Sequence, residues 1–236
     1  MAKFLSNVFS EIRGSVNGNV FARNKNGAYI RNRTTPINPN TARQSTVRSV
    51  FADVASAWRS ITAAQRGGWA TLASSNPYVD SLGQSQFYSG FQLFMKLNQN
   101  LRAIGASIVE DAPAVPSIPS IALAASFSIE TGPVDTITVT PTFSGSAAAF
   151  TLLVNATSAV SPGVNSFKRG AYKFLQVDAA PASATPIDIA ATWNALFGPL
   201  ASAIGSKVSV SVRLVHTASG WTSPSVNVNT IVVDNV

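Results

Sequence analysis

The stretch EDAPAVPSIPS, residues 110 to 120, separates two parts of this chain whose apolar residues recur with different periods. Three prolines within seven residues fix φ and remove backbone donors, so the segment reads as an extended, semi-rigid spacer. With its flank it makes a linker over residues 107–120. Beyond it the pattern is β. VDTITVTP (134–141), AFTLLVNA (149–156), AYKFLQV (171–177), KVSVSVRLV (207–215) and SVNVNTIVV (225–233) alternate or run apolar between Gly, Pro, Ser and Asn. IDIAATWNALFG (187–198) interrupts them as a short helix closed by Gly198-Pro199. Residues 121–236 are therefore expected to form an antiparallel β-sandwich, immunoglobulin-like or fibronectin-like, with one helical crossover.

Ahead of the spacer the period is helical. Thr41 and Gln44 make a capping box, and Val47, Phe51, Val54, Trp58 and Ile61 then form one stripe, which predicts a helix over 42–60. A second box, Thr62 with Gln65, starts a shorter helix that presents Trp69 and Leu72 and stops at Asn76-Pro77. A third helix is expected over 85–104, with Phe87, Phe91, Phe94, Leu97, Leu101 and Ile104 on one side. Aromatics at helical spacing are read as the core of a helical domain over 40–106 rather than as a base-stacking platform. Residues 1–39 precede it as an extended basic arm. Within it NVFARNKNGAYIRNR (19–33) reads as a β-hairpin about an Asn26-Gly27 turn, with Arg23 opposite Ile30 and Ala22 opposite Arg31. The fold class is α+β: a basic hairpin arm, a small helical bundle, then the sandwich.

Charge follows the same division. Up to Ala106 twelve Lys or Arg face three acids; from Ser107 five face seven. Between Ile12 and Ala52 there is no acid, while Arg13, Arg23, Lys25, Arg31, Arg33, Arg43 and Arg48 are all present. These seven are the candidate partner-binding residues, suited to phosphate or to an acidic protein surface. Only 11% of residues are charged, which is under half of the roughly 25% usual in soluble domains and suits a surface covered by neighbours.

Several classes find no support. The start MAKFLSNVFSEI is a poor secretory signal, and no run approaches the roughly 20 apolar residues of a membrane span. Without cysteine there is no disulfide framework or thiolate site. His216 is the only histidine, and the ten acids are scattered, with Asp178 and Asp188 the pair that folding could bring together. SFKRG (166–170) and GSVNGNVF (14–21) lack the pattern of a phosphate loop. The expectation is a non-enzyme with no catalytic residues, metal or cofactor.

In order along the chain, GSVNGNVFARNKNGAYIRNR, NPNTARQSTVRSVF, WRSITAAQRGGWATLA and SGFQLFMKLNQNLRAIG resemble uncharacterised virion structural proteins of tailed bacteriophages. The resemblance covers residues 11–105; SPGVNSFKRGAYKFL, WNALFG and TASGWTSP extend it more weakly. It implies a Gly-rich arm, a helical region and a C-terminal sandwich, located in a particle assembled in the bacterial host cytoplasm. The expected function is a structural part of capsid, connector or tail, whose partners are other virion proteins and copies of itself. Two alternatives stand beside it: a DNA-binding protein packaged in the head, and a surface adhesin or carbohydrate-binding sandwich, for which Trp221 is the residue to test.

Overall fold

A computed structural model describes residues 2–3, 12–24, 27–80, 82–123, 127–131, 135–178 and 181–234. Among them are four α-helices and several sheets, antiparallel but for one strand pair, so the fold is mixed α+β. The chain divides into two compact units, Met1–Met95 with Glu110–Ala112, and Lys96–Val109 with Pro113–Val236.

In the first unit β1 (Ala2–Lys3), β2 (Gly14–Val16), β3 (Asn19–Asn24) and β4 (Gly27–Asn32) form a four-stranded sheet in the order β1-β4-β3-β2. Helix α1 (Ala42–Ser60) follows, with Thr41 Oγ1 accepting from the Gln44 amide at 3.3 Å. Helix α2 (Ala63–Ser75) starts on a complete capping box: the Thr62 amide donates to Gln65 Oε1 at 2.8 Å, and the Gln65 amide to Thr62 Oγ1 at 3.3 Å. Strands β5 (Tyr78–Val79) and β6 (Ser85–Gln86) pair before α3 (Gly90–Ala103). The third helix thus begins five residues later than its apolar spacing suggested. A further box explains the start: the Gln92 amide donates to Ser89 Oγ at 3.2 Å and the Ser89 amide to Gln92 Oε1 at 2.9 Å. Gly90 lies against α2, where a Cβ would come within 2.9 Å of the Ala70 backbone nitrogen. The core of this unit gathers Val54, Ile61, Trp69, Ala73, Leu93 and Phe94. The ring of Phe94 meets those of Trp58 at 5.1 Å and Trp69 at 5.2 Å. Trp69 Nε1 donates to the Glu110 carbonyl at 2.7 Å, which ties the spacer's first residues to α2.

The second unit takes the remainder of α3. Asn98 is fully buried and is satisfied from both ends of its amide by Val109, at 2.7 and 3.1 Å. Here lie β7 (Ile121–Ala122), β8 (Phe127–Thr131), β9 (Thr136–Val139), β10 (Thr142–Phe143), β11 (Phe150–Ala156), β12 (Lys173–Asp178), β13 (Ile187–Asp188), α4 (Ala190–Phe197), β14 (Lys207–His216), β15 (Val226–Ile231) and β16 (Val233–Asp234). Two four-stranded sheets result, β12-β11-β14-β15 and β13-β9-β8-β16. The exception to an all-antiparallel arrangement is β16, which runs parallel to β8. Alternation along the long strands sends Leu152, Val154, Val210, Val212, Val226 and Val228 into one cluster with Ile137 and Val139 of the other sheet. Trp193 of α4 fills the same cluster, its Nε1 donating to the Thr157 carbonyl at 3.0 Å. Asp188 Oδ1 caps α4, accepting from the amides of Ala190 at 2.9 Å and Ile137 at 3.0 Å.

Candidate partner-binding surface

The arm's register corrects the expected hairpin by two residues. Phe21 lies opposite Ile30, Ala22 opposite Tyr29, Arg23 opposite Ala28, Val20 opposite Arg31, and Asn24 opposite Gly27. Gly27, with φ +104°, is therefore the first residue of β4, and the loop is Lys25-Asn26, which lies outside the described residues. The physical reason is side-chain pairing. The observed register sets apolar residues directly across from one another, whereas the expected one would have faced Phe21 with Asn32 and Ile30 with Arg23.

Side chains opposite each other share a face, so this sheet has two mixed faces. Ser15, Val20, Ala22, Tyr29 and Arg31 lie on one; Val16, Phe21, Arg23, Ala28 and Ile30 lie on the other. Arginine stands on both, as the alternation of the sequence implied. No described residue from Ile12 to Asp53 is buried; the first buried side chain is Val54. Ile37, in the segment between sheet and helix, is 89% exposed.

The exposure continues onto α1. Val47 and Phe51, expected to lie in the core, are 55% and 52% exposed, while Val54 and Ile61 further along the same stripe are buried. The covered end is the C-terminal one, where the ring of Trp58 meets those of Phe91 at 5.6 Å and Phe94 at 5.1 Å.

Of the candidate cations, Arg13 precedes β2, Arg23 is on β3, Arg31 on β4, Arg33 just beyond it, and Arg43 and Arg48 on α1; all six are exposed, and Lys25 lies outside the described residues. The Arg33 amide donates to the Gly18 carbonyl at 2.7 Å, and Arg48 Nη2 donates to Asn38 Oδ1 at 2.7 Å, pinning the connecting segment to the helix. The cations thus fall on the strands, the segment after them and α1, with Arg23 and Arg31 on opposite faces of the sheet. Reading by charge alone missed Phe21, Tyr29, Ile30, Val47 and Phe51, the apolar part of the same surface. Their signal was present in the two-faced alternation of VFA and AYI beside the arginines.

Elsewhere, His216 Nδ1 is 2.7 Å from the hydroxyl of buried Ser219, and its ring meets Phe150 at 5.1 Å. Burial pushes its pKa below the ordinary value, favouring the neutral ring. Asp178 and Asp188 lie on strands of different sheets, and the Asp188 carboxylate is engaged in capping α4. No group of three or more potential metal ligands occurs among the described residues. No helix is long and apolar enough to cross a membrane among them. The chain matches no protein-family model, no curated protein and no solved structure.

Proposed function

We propose that this protein is a non-enzymatic structural component of a tailed-phage virion, part of a capsid, connector or tail assembly, that docks on its neighbours through residues 12–53. In this reading the two four-stranded sheets of the second unit pack as an immunoglobulin-like β-sandwich, supported by the single apolar cluster to which both contribute. The observation that carries the docking surface is the run from Ile12 to Asp53 without one buried described residue, in a sheet with apolar and cationic side chains on both faces. A two-stranded ribbon is marginal in water, and extra strands add little stability while no described residue of β2, β3 or β4 is buried. Contact with a partner removes Phe21, Ile30, Val47 and Phe51 from water and gives the arginines carboxylates to fork.

A protein partner suits this surface better than DNA does. Phosphates would satisfy the guanidinium groups but leave the alternating apolar residues hydrated, whereas a neighbouring subunit with an acidic, partly apolar face covers both. Many copies docking at once would add up by avidity in a closed particle. The test is co-sedimentation with particles in lysates of cells that assemble them. The full chain is expected in the particle fraction, and a chain lacking residues 1–36 in the soluble fraction with an unchanged unfolding transition of its β-rich unit. Incorporation of the truncated chain defeats the proposal. Binding of duplex DNA with a steep salt slope, in place of particle binding, selects the packaged DNA-binding alternative.

A further inference from the structure

The sheet β12-β11-β14-β15 turns one face to the core, and its other face carries residues that strands ordinarily avoid. Asn155 of β11, Ser211 of β14 and Asn227 of β15 lie directly across from one another in a single row. Arg213 stands two residues along β14 on the same face. The connection between β11 and β12 returns over this face and brings in Phe167 and Tyr172, and together these groups line an open cleft of about 520 Å3. Tyr172 is held in place: its hydroxyl is 2.9 Å from Ser209 Oγ, which in turn donates to the Val228 carbonyl at 3.1 Å. The two rings stand 6.4 Å apart at 55° to each other.

Asn155 is half-buried, Ser211 buried and Asn227 exposed, so the row presents two amides and a hydroxyl towards the cleft. The size falls within the roughly 300–1,000 Å3 of small-molecule sites. Its chemistry is specific: amides and hydroxyls that both donate and accept, an aromatic wall, one guanidinium, and no carboxylate among the lining residues. A phosphate group calls for several cations or a fan of backbone amides, and an apolar ligand would leave these polar groups dry and unpaired. A sugar ring needs mixed donors and acceptors for its hydroxyls and an aromatic surface for its C–H face; a carboxylate on that ring meets the planar fork of arginine.

We propose that this cleft binds an acidic saccharide, with Arg213 pairing the carboxylate of a sugar-acid unit, Asn155, Ser211 and Asn227 exchanging hydrogen bonds with its hydroxyls, and Tyr172 and Phe167 covering its apolar face. All of these residues belong to the second unit and none to the arm, so the site stands or falls independently of particle docking.

The test uses the intact chain with tetragalacturonate as probe and maltotetraose as its neutral counterpart, followed by titration calorimetry and by the side-chain amide signals of Asn155 and Asn227. Saturable binding of the acidic probe is expected, at least about tenfold tighter than the neutral one, with both amide signals shifting. Asn227→Leu, at an exposed position that the fold does not depend on, is expected to weaken binding about tenfold or more by losing a hydrogen bond and filling the cleft. Arg213→Gln is expected to abolish the preference for the acid. Arg23→Gln with Arg31→Gln in the arm is expected to leave binding unchanged. The proposal is overturned by no saturable binding, by equal affinity for both probes, by an unaffected Asn227→Leu chain, or by loss of binding in the arm variant, which would make the effect a general attraction of polyanions to the basic segment.

Discussion

Two of the three four-stranded sheets among the described residues stand in opposite circumstances. In β12-β11-β14-β15 the inward face is a continuous apolar cluster in which Leu152, Val154, Val210, Val212 and Leu214 are all buried. In β1-β4-β3-β2 no described residue from β2 onward is buried, and Phe21 and Ile30, as apolar as the core residues of the other sheet, are only half-buried. Strand number and pairing are the same, so hydrogen-bond ladders do not separate them. What differs is burial: one sheet sends Val154, Val208, Val210 and Val212 into a single apolar cluster, while the other divides its apolar residues between two faces and buries none of those described from β2 onward. A sheet gains stability from the side chains it removes from water, and the proposed docking would supply that cover to an arm that divides them between two faces.

The comparison can be strained where its stable half is densest. Trp193→Ala removes the largest side chain of the second unit's core and its bond to Thr157, and is expected to cost about 3–5 kcal/mol in denaturant unfolding of the isolated chain. Gly220 has φ +72°, and a Cβ there would collide with the Leu97 carbonyl of α3, so Gly220→Ala is expected to cost about 2–4 kcal/mol by the same measurement. A cost near zero would mean that this turn is looser than its geometry.

A smaller effect comes from His216. Its pKa is lowered by burial, so the unfolded chain takes up a proton at a higher pH than the folded one does. The stability it contributes is complete above the unfolded value of about 6.5 and is lost as pH falls from there through the lower folded value. The unfolding temperature should therefore decline less between about pH 7.5 and pH 5 in His216→Gln than in the natural chain; equal declines would remove His216 from the account.

The smallest effect on the isolated chain is expected in the other sheet. Val16→Ser, at a 62% exposed position of β2, should change its stability by less than about 0.5 kcal/mol while weakening particle association. A loss of folding stability comparable to that of a core substitution would erase the distinction between the two sheets.

Much of the fold was legible because its signals are local. Thr41 and Thr62 with their partners three residues on set the starts of α1 and α2, which run over the expected residues. The long strands β11 and β14 announced themselves by their valine and leucine alternation. Where signals overlap the cap prevails: the apolar stripe reaches back to Phe87, yet the Ser89–Gln92 box starts the third helix later. FSIET was overlooked as a strand despite its period of two, since Gly and Pro follow so closely. The arm's register depended on which residues pair across the ribbon, a choice that the turn dipeptide alone does not make. The seven cations of the candidate surface could be read from the absence of acids and Phe21, Tyr29 and Ile30 from the alternation beside them, but the exposure of Val47 and Phe51 could not, because the stripe they share with buried Val54 and Ile61 is continuous in sequence. The cleft was invisible for a related reason. Phe167 and Tyr172 are far along the chain from Arg213 and Asn227, and only the crossing of the connection over the sheet brings them together. Trp221, the aromatic first suspected of binding sugar, lies outside it and is half-buried, with its Nε1 inside the unit.

Amide hydrogen exchange, resolved by residue, on the chain alone and after assembly with its particle, measures coverage of the arm directly. The account predicts that amides of residues 12–36 exchange within seconds in the isolated chain, while those of β11 and β14 remain protected, and that the arm becomes protected on assembly. Protection of the arm in the isolated monomer, at a level approaching that of β14, would contradict it.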